Sequence, residues 1–471
     1  MNIRKQTFAL YFGNRGFFPG ELITAAREEL KASVENLGFN TIILDENVTR
    51  YGAVETVEEG RKYAAFLEDN SGKYDGIILC LPNFGDENGA IAALEDCGKP
   101  ILIQAYPDEF GQMDFQHRRD AFCGKFSIMD VFYQYGLPFT IFPPHTIHPK
   151  SKEFSAQLLK FAAVCRVANG MKKFTVGALG ARTTAFKTVR FDELTLQKYH
   201  ITTETFDLSE VFSRIKSFNI NSDEFEIKKN YLLDYTGWDG VPDEKINIIC
   251  KSACVIDNMI EEYSLDSIAL RCWNEFEAEL GIAPCIILSA INDREVAAAC
   301  ELDVANAIPM RALSLASEKA STVLDWNNNY GDDNNKCILF HCGPVAQQLM
   351  SAKGRVIDHL MFAKSYGAGC GWGANVGRIA SGDMTFCSSK TENGKLIFYL
   401  GEGRITDDPI EDSFFGCGGV AEINNLQNKL LTIGKNGYRH HVGMTTGHYD
   451  EVIREAFKTY LNYDLIDLDQ E

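Results

Sequence analysis

The chain has 471 residues, 45% hydrophobic and 24% charged, so it can bury a large core unaided, and its length predicts two or three domains. Its 65 acids against 46 bases leave a net charge of −19, which disfavours nucleic acid and anionic membrane as partners but leaves room for a small anion held by a few local cations. No apolar run approaches the ~20 residues of a membrane span. Fourteen irregularly spaced cysteines and the lack of a leading secretory pattern predict free thiols in the cytoplasm.

The first third alternates predicted strands and helices: strand 7–12, helix 21–37, strand 40–44, helix 55–70, strand 74–81, helix 85–96 and strand 100–104. Such alternation argues a doubly wound parallel sheet, whose ligands sit at the carboxyl ends of strands. Arg15, in the loop after the first strand, is placed for that. Residues 113–125 carry His117, Arg118, Arg119 and Lys125, read either as a solvated basic loop or as a loop that binds an anion or hydroxyl group. A proline-rich crossover at 142–145 and a helix over 153–169 lead to a second alternation. It comprises strand 174–177, helices near 191–198 and over 246–264, strand 285–289, helix 303–317, and strands 322–326 and 336–341. From about residue 354 glycines cluster and apolar runs shorten, with strands expected at 382–386, 395–401 and 429–433 and a last helix over 448–460. The fold class read from this order is α/β: two doubly wound α/β domains, 1–170 and 171–354, followed by a β-rich C-terminal domain, 355–471.

Glu301, Asp303, Asp325, His341, His440, His441 and His448 form the chemically richest set. Carboxylates with imidazoles suit Mn²⁺, Fe²⁺ or Zn²⁺ with open positions. Asp325 and His341 end apolar runs, so two neighbouring strands would bring them to one sheet edge. Taken singly, Glu301 and Asp303 read as acids at a helix N-terminus, Asp325 as a turn residue and His341 as a core histidine. Adjacent histidines on a strand point to opposite sides, so only one of His440 and His441 is expected as a direct ligand.

The segment Cys300-Glu301-Leu302-Asp303-Val304-Ala305-Asn306-Ala307 resembles the acidic motif of the L-fucose isomerase and L-arabinose isomerase superfamily. Leu324-Asp325-Trp326 is similar to the second acidic strand end of fucose isomerases, where arabinose isomerases place Glu. His341 matches a histidine of arabinose isomerases that fucose isomerases lack, and Arg439-His440-His441-Val442 resembles the late histidine motif. The mixture marks a separate branch, so the substrate is not carried over.

The resemblance implies a metal-dependent aldose–ketose isomerase acting on an open-chain sugar through a cis-enediol, with Mn²⁺ as the usual ion. It implies Glu301 and Asp325 as ligands and proton-transfer groups, His441 as third ligand, and His341 as a fourth ligand or substrate contact. Candidate substrate contacts are Arg15, His117, Arg118, Arg119, Lys125, Trp273, Trp326, Glu402 and His448. It also implies a homo-oligomer, hexameric or similar, in which the first domain of a neighbouring subunit completes the site. The basic stretch raises the alternative of a sulfonated sugar such as sulfoquinovose, gripped through charge-assisted hydrogen bonds. A non-catalytic sugar-binding protein and a metal-dependent aldolase or epimerase are the competing classes.

Overall fold

The structure, a computed structural model, describes residues 5–183 and 185–468 and divides into two compact units. The first runs to Asn169 and includes Glu455–Asn462; the second holds Gly170–Arg454 and the chain from Tyr463 onward.

The first unit is built on four parallel strands, β1 (Thr7–Phe12), β2 (Asn40–Ile43), β3 (Gly76–Leu81) and β4 (Ile101–Ala105), in the order β2-β1-β3-β4. β1, β3 and β4 are continuous buried runs, as strands covered on both faces must be. Alternate residues of β1 enter different cores. Ala9 and Tyr11 pack with α2 (Val57–Asp69), α3 (Glu87–Leu94) and α4 (Ala121–Tyr135). Phe8, Leu10 and Phe12 pack with Ile23 and Leu30 of α1 (Glu21–Asn36) and with Phe154 and Phe161 of α5 (Lys152–Met171). The strand order reverses between β1 and β3, which opens a crevice at their carboxyl ends. Late residues complete this unit: Thr140 Oγ1 donates to Glu455 at 2.7 Å and lies 2.8 Å from the Tyr460 hydroxyl, which also meets the Ile101 main chain at 3.3 Å.

The second unit joins a parallel sheet to a barrel. The sheet holds β5 (Phe174–Leu179), β6 (Ile201–Phe206), β7 (Ser267–Leu270) and β8 (Ala297–Ala299), in the order β6-β5-β7-β8. Its connections carry α6 (Glu193–Lys198), α7 (Leu208–Ser217), α8 (Asp223–Tyr235), α9 (Asp243–Glu262), α10 (Glu275–Glu279) and α11 (Cys285–Asn292), and α12 (Val304–Ser317) follows β8. Then come β9 (Thr322–Asn329), β10 (Lys336–His341), β11 (Arg355–Asp358), α13 (Leu360–Tyr366), β12 (Trp372–Arg378), β13 (Gly382–Glu392), β14 (Lys395–Ile405), β15 (Cys417–Glu422), α14 (Leu426–Lys435), β16 (His441–Thr446) and β17 (Asp464–Ile466). Strands β15-β10-β9-β16-β13-β14 pair in that order, and β14 pairs back to β15 through Arg404↔Glu422 and Ile405↔Ala421. The ring therefore closes, which removes the edges within it that an open sheet would expose. Leu324, Leu339, Phe386, Tyr399, Val442 and Met444 fill one continuous core. Asp325 and His441, the alternate residues of β9 and β16, are Cα partners and so share the opposite face.

The architecture is thus mixed α/β, with parallel sheets first and a β-rich, barrel-containing part after them. Two expected strands are helices. Residues 285–289 lie in α11, started by Pro284 at its N-cap, and 429–433 lie in α14, where Leu426, Leu430 and Ile433 face the barrel core at helical spacing. The last helix begins at Asp450, so His448 precedes it.

Candidate active site

Four segments of the second unit bring the acid–histidine set together: the turn after β8, β9, β10 and the start of β16. Glu301 sits in the turn between β8 and α12, where it and Leu302 both hold φ of 59°. Two successive non-glycine residues in the left-handed region are costly, roughly 1–3 kcal/mol each, and such strain gathers at functional sites. The turn is fixed by Leu302 N–H donating to Leu270 O at 3.1 Å and Asp303 N–H donating to Cys300 O at 3.0 Å. It aims Glu301 at β9 and β16, where His441 Nε2 lies 3.0 Å from Glu301 Oε2 and 3.3 Å from Asp325 Oδ1.

Asp303 organises the set from behind. It caps α12 by accepting from Asn306 N–H at 3.2 Å, accepts from Arg439 Nη1 at 2.8 Å, and accepts from His441 Nδ1 at 2.8 Å. Burial would raise its pKa, but Arg439 and then His441 bring it down to about 2. Asp303 thus holds the Nδ1 proton, and Nε2 is the nitrogen that faces Glu301 and Asp325 and would give up its proton to bind an ion. Without a metal, burial opposes a charge on His441, yet Asp303 and Glu301 outweigh it and push its pKa up to about 10. Burial likewise raises Glu301, while the imidazoles of His441, His341 and His440 reverse that and hold it below the usual range.

His341 is set differently. Its Nδ1 accepts from the Cys342 N–H at 2.9 Å, so the single-proton form carries its proton on Nε2. Burial lowers its pKa, but Cys342, Asp325 and Glu301 raise it further, to about 9. Glu301 Oε2, Asp325 Oδ1, His341 Nε2 and His441 Nε2 are all buried and hydrogen-bond to nothing. Ligand atoms of Asp325, His341 and His441, and likewise those of Glu301, His440 and His441, lie within 4.8 Å of one another. Each triad sets a carboxylate oxygen beside His441 Nε2, and carboxylate oxygen with imidazole nitrogen is a donor chemistry that fits a divalent ion such as Mn²⁺.

These groups line a cavity of about 730 Å³ together with Trp273, Phe340, Cys342, His359, Met361 and Phe414. Asn327, Asn328 and Tyr330 provide polar wall. His359 escaped the sequence reading because it stands in no motif; it is buried, stacks on Phe362 at 4.2 Å and leaves Nδ1 unpaired. His440 also departs from expectation. It lies in a bend ahead of β16, so strand alternation does not apply, and its Nε2 reaches to 3.6 Å from Asp325.

Trp326 and Glu402 take other places. Trp326 packs with the barrel core, edge-on to Phe386, and its Nε1 donates to the Tyr399 hydroxyl at 3.1 Å. Glu402 and His448 meet at 3.0 Å, with Asp383 on the other side of the imidazole at 3.1 Å, and none of the three lines the cavity. The remaining candidates belong to the first unit. Arg15 is paired with Glu87 and stacks on Phe84 at 4.6 Å. His117 pairs with Asp114 at 2.7 Å and Arg118 with Asp120 at 2.6 Å. Lys125 is in α4, not in a loop; it is 2% exposed, donates to His145 O at 2.8 Å, and burial lowers its pKa to about 8. Arg119 donates to Pro82 O at 2.9 Å and lies over Tyr106, with no carboxylate on its guanidinium among the described residues.

Comparison with known proteins adds identity to this geometry. Residues 9–172 match the family described as fucose/sulfoquinovose isomerase, N-terminal domain, and residues 339–469 match L-fucose isomerase, C-terminal domain. The sulfoquinovose isomerase of Priestia megaterium (strain ATCC 12872 / QMB1551) is 22% identical over 423 residues, covering 88% of this chain and 89% of the relative. That of Alkalicoccus urumqiensis is 21% identical over 402 residues, covering 84% and 87%.

Proposed function

Because the chain belongs to the fucose isomerase-like branch of the L-fucose isomerase and L-arabinose isomerase superfamily, we propose that it is a divalent-metal-dependent isomerase of a sulfonated open-chain aldose of the sulfoquinovose type. The sulfonate rests on the relatives: sulfoquinovose isomerases align with nearly the whole chain. The chemistry rests on one observation, the convergence of unpaired buried atoms from Glu301, Asp325 and His441.

Those three residues would hold the ion, Mn²⁺ by family analogy, and a bound divalent ion supplies Lewis-acid stabilisation of negative charge on the sugar oxygens, worth several kcal/mol. Glu301 and Asp325 divide the proton work: one takes the proton from the carbon beside the carbonyl, giving an enediol, and the other moves the hydroxyl proton. Glu301 is ionised at neutral pH, as this work needs. His341 presents N–H rather than a lone pair from Nε2, so we assign it to a substrate oxygen and not to the ion. Trp273, Phe340 and Phe414 exclude water around the reacting carbons.

No Arg or Lys lines the cavity among the described residues, so the sulfonate needs a cation from elsewhere. We assign it to Arg119, supplied by the first domain of a neighbouring subunit in a homo-oligomer, as the family layout implies. The test is an aldose–ketose assay with Mn²⁺ on sulfonated and neutral sugars. Turnover of the sulfonated sugar should vanish with EDTA and fall by about 10³-fold or more in Glu301→Gln, in line with losing a proton-transfer group. Arg119→Ala should raise KM for the sulfonated sugar at least about tenfold and leave a neutral sugar nearly unchanged. EDTA-insensitive turnover overturns the metal, and equal effects on both sugars overturn the role of Arg119.

A further inference from the structure

His359 lines the cavity without a structural duty that explains it. It stands at the N-cap position of α13, yet its side chain caps nothing. Serine, threonine, aspartate or asparagine would hold that helix start better. The residue is 1% exposed, and its Nδ1 is buried and hydrogen-bonds to nothing. A buried polar group without a partner costs stability, and native folds keep few of them. Among the described residues, His359 also stands outside every group of side chains whose donor atoms could share one ion. It is therefore neither a cap, nor a bonded core histidine, nor a metal ligand.

The surroundings fix the ring all the same. Its centroid lies 4.2 Å from that of Phe362, and Phe415 meets it edge-on at 5.3 Å. The main chain beside it is tied down. His359 N–H donates to Gly371 O at 2.9 Å, and Asp358 accepts from Gly369 N–H at 2.7 Å and from Gly371 N–H at 2.8 Å. A Cβ at Gly371 would come within 3.0 Å of His359 Cβ, so this close approach requires glycine. Met361 and Phe415 line the cavity with His359, which sets the imidazole in an apolar part of the wall. A fixed, desolvated hydrogen-bonding group discriminates more sharply than a solvated one, such as the exposed Asn327 and Asn328 of the same cavity.

We propose that His359 is a specificity-determining residue whose imidazole hydrogen-bonds a hydroxyl of the open-chain sugar beyond the reacting C1 and C2, on C3, C4 or C5. This rests on the isomerase reading above. The ion and the carboxylates serve the oxygens of the reacting carbons, and that chemistry is common to all aldoses. A hydroxyl farther along carries the configuration that tells one aldose from another. A buried polar group left unpaired penalises an analogue that lacks its partner. The fold thus keeps an imidazole that its own stability would be better without.

The full-length enzyme with Mn²⁺ is assayed on the sulfonated aldose and on its 3-, 4- and 5-deoxy forms, as wild type, His359→Phe and His359→Gln. His359→Phe should lower kcat/KM for the parent sugar about 10- to 100-fold. On one of the deoxy forms it should match the wild type within about twofold, because the contact is then absent from both. His359→Gln keeps a hydrogen-bonding side chain and should recover part of the loss. Mn²⁺ affinity should be the same in all three proteins. Equal losses on the parent and every deoxy sugar, or weakened Mn²⁺ binding, overturns the proposal. Calorimetric binding of the matching alditols, which cannot isomerise, reads the contact apart from turnover. A wild type that binds the alditol but converts no sugar sinks the isomerase reading alone, and the same parent-against-deoxy comparison in binding then decides His359. A wild type that binds no alditol and converts no sugar overturns both.

Discussion

Asp303 holds a helix start, a buried arginine and an imidazole at once. Its folded pKa of about 2 lies below the unfolded value of about 3.9, so its contribution is complete above pH ~4 and is lost as the pH falls through 2. The shift corresponds to roughly 2–3 kcal/mol. Asp303→Asn should therefore lose stability less steeply than the wild type between pH 4 and 2 in acid unfolding followed by circular dichroism. At neutral pH it leaves buried Arg439 without a countercharge, at a cost of about 3–5 kcal/mol, and it should weaken metal binding about 10- to 100-fold. His441 makes a second prediction. With a metal-free pKa near 10 it is protonated throughout the neutral range, so an ion must displace a proton and affinity should rise with pH. Calorimetry at pH 7.5 in buffers of different ionisation heat should give about one proton released per Mn²⁺; no buffer dependence would remove His441 from the ligand set. The sequence showed Asp303 as a helix-start acid because a cap is a local property, and its bonds to Arg439 and His441, far along the chain, have no local sign. Trp326 misled for the same reason in reverse: it neighbours Asp325, but strand alternation sends it into the barrel.

The element that carries Glu301 and Asp303 is α12, and its seat on the barrel is tight. A Cβ at Gly443 of β16 would come within 3.1 Å of Cys387 O, 3.2 Å of Met310 Cγ and 3.3 Å of Leu313 Cδ1, the last two on α12. Ser388 Oγ donates to Asn306 Oδ1 at 2.8 Å and Ser389 Oγ to Ala305 O at 2.5 Å, which fix the first turn over β13. Gly443→Val should cost about 1–3 kcal/mol by overpacking and lower kcat through displaced carboxylates, seen as a lower melting temperature together with slower turnover. Gly434→Ala is the contrasting substitution. Gly434 lies in α14 with open space around it, so alanine should stabilise by about 0.5–1 kcal/mol without changing kcat. Normal melting of Gly443→Val would show that α12 is not held there. Legibility at this scale followed length and pattern. The runs 7–12 and 336–341 were readable as strands because each is apolar and bounded by turns. Residues 285–289 form an equally apolar run that periodicity cannot assign, since a wholly buried helix shows no polar face.

At the scale of the molecule, the strand–helix alternation and the glycine-rich texture after residue 354 foretold parallel sheets followed by a β-rich part. Ring closure through β14 and β15 was not legible, because it depends on pairing two strands that are not consecutive in the chain. Nor was the return of Glu455–Asn462 to the first unit, where Tyr460 meets Thr140 and Ile101. Tyr460→Phe should remove these hydroxyl bonds at about 1–2 kcal/mol, and hydrogen exchange should quicken in residues 101–105 and leave the barrel amides unchanged. Equal quickening in both units would contradict their separate cooperativity. That late return also sets a clock on biosynthesis. A nascent chain emerges at about 5–20 residues per second, so the opening sheet waits tens of seconds on the ribosome for its final stitch. For that interval it depends on a chaperone or on its own partial core. Mutations in Glu455–Asn462 would then surface as misfolding of the first unit.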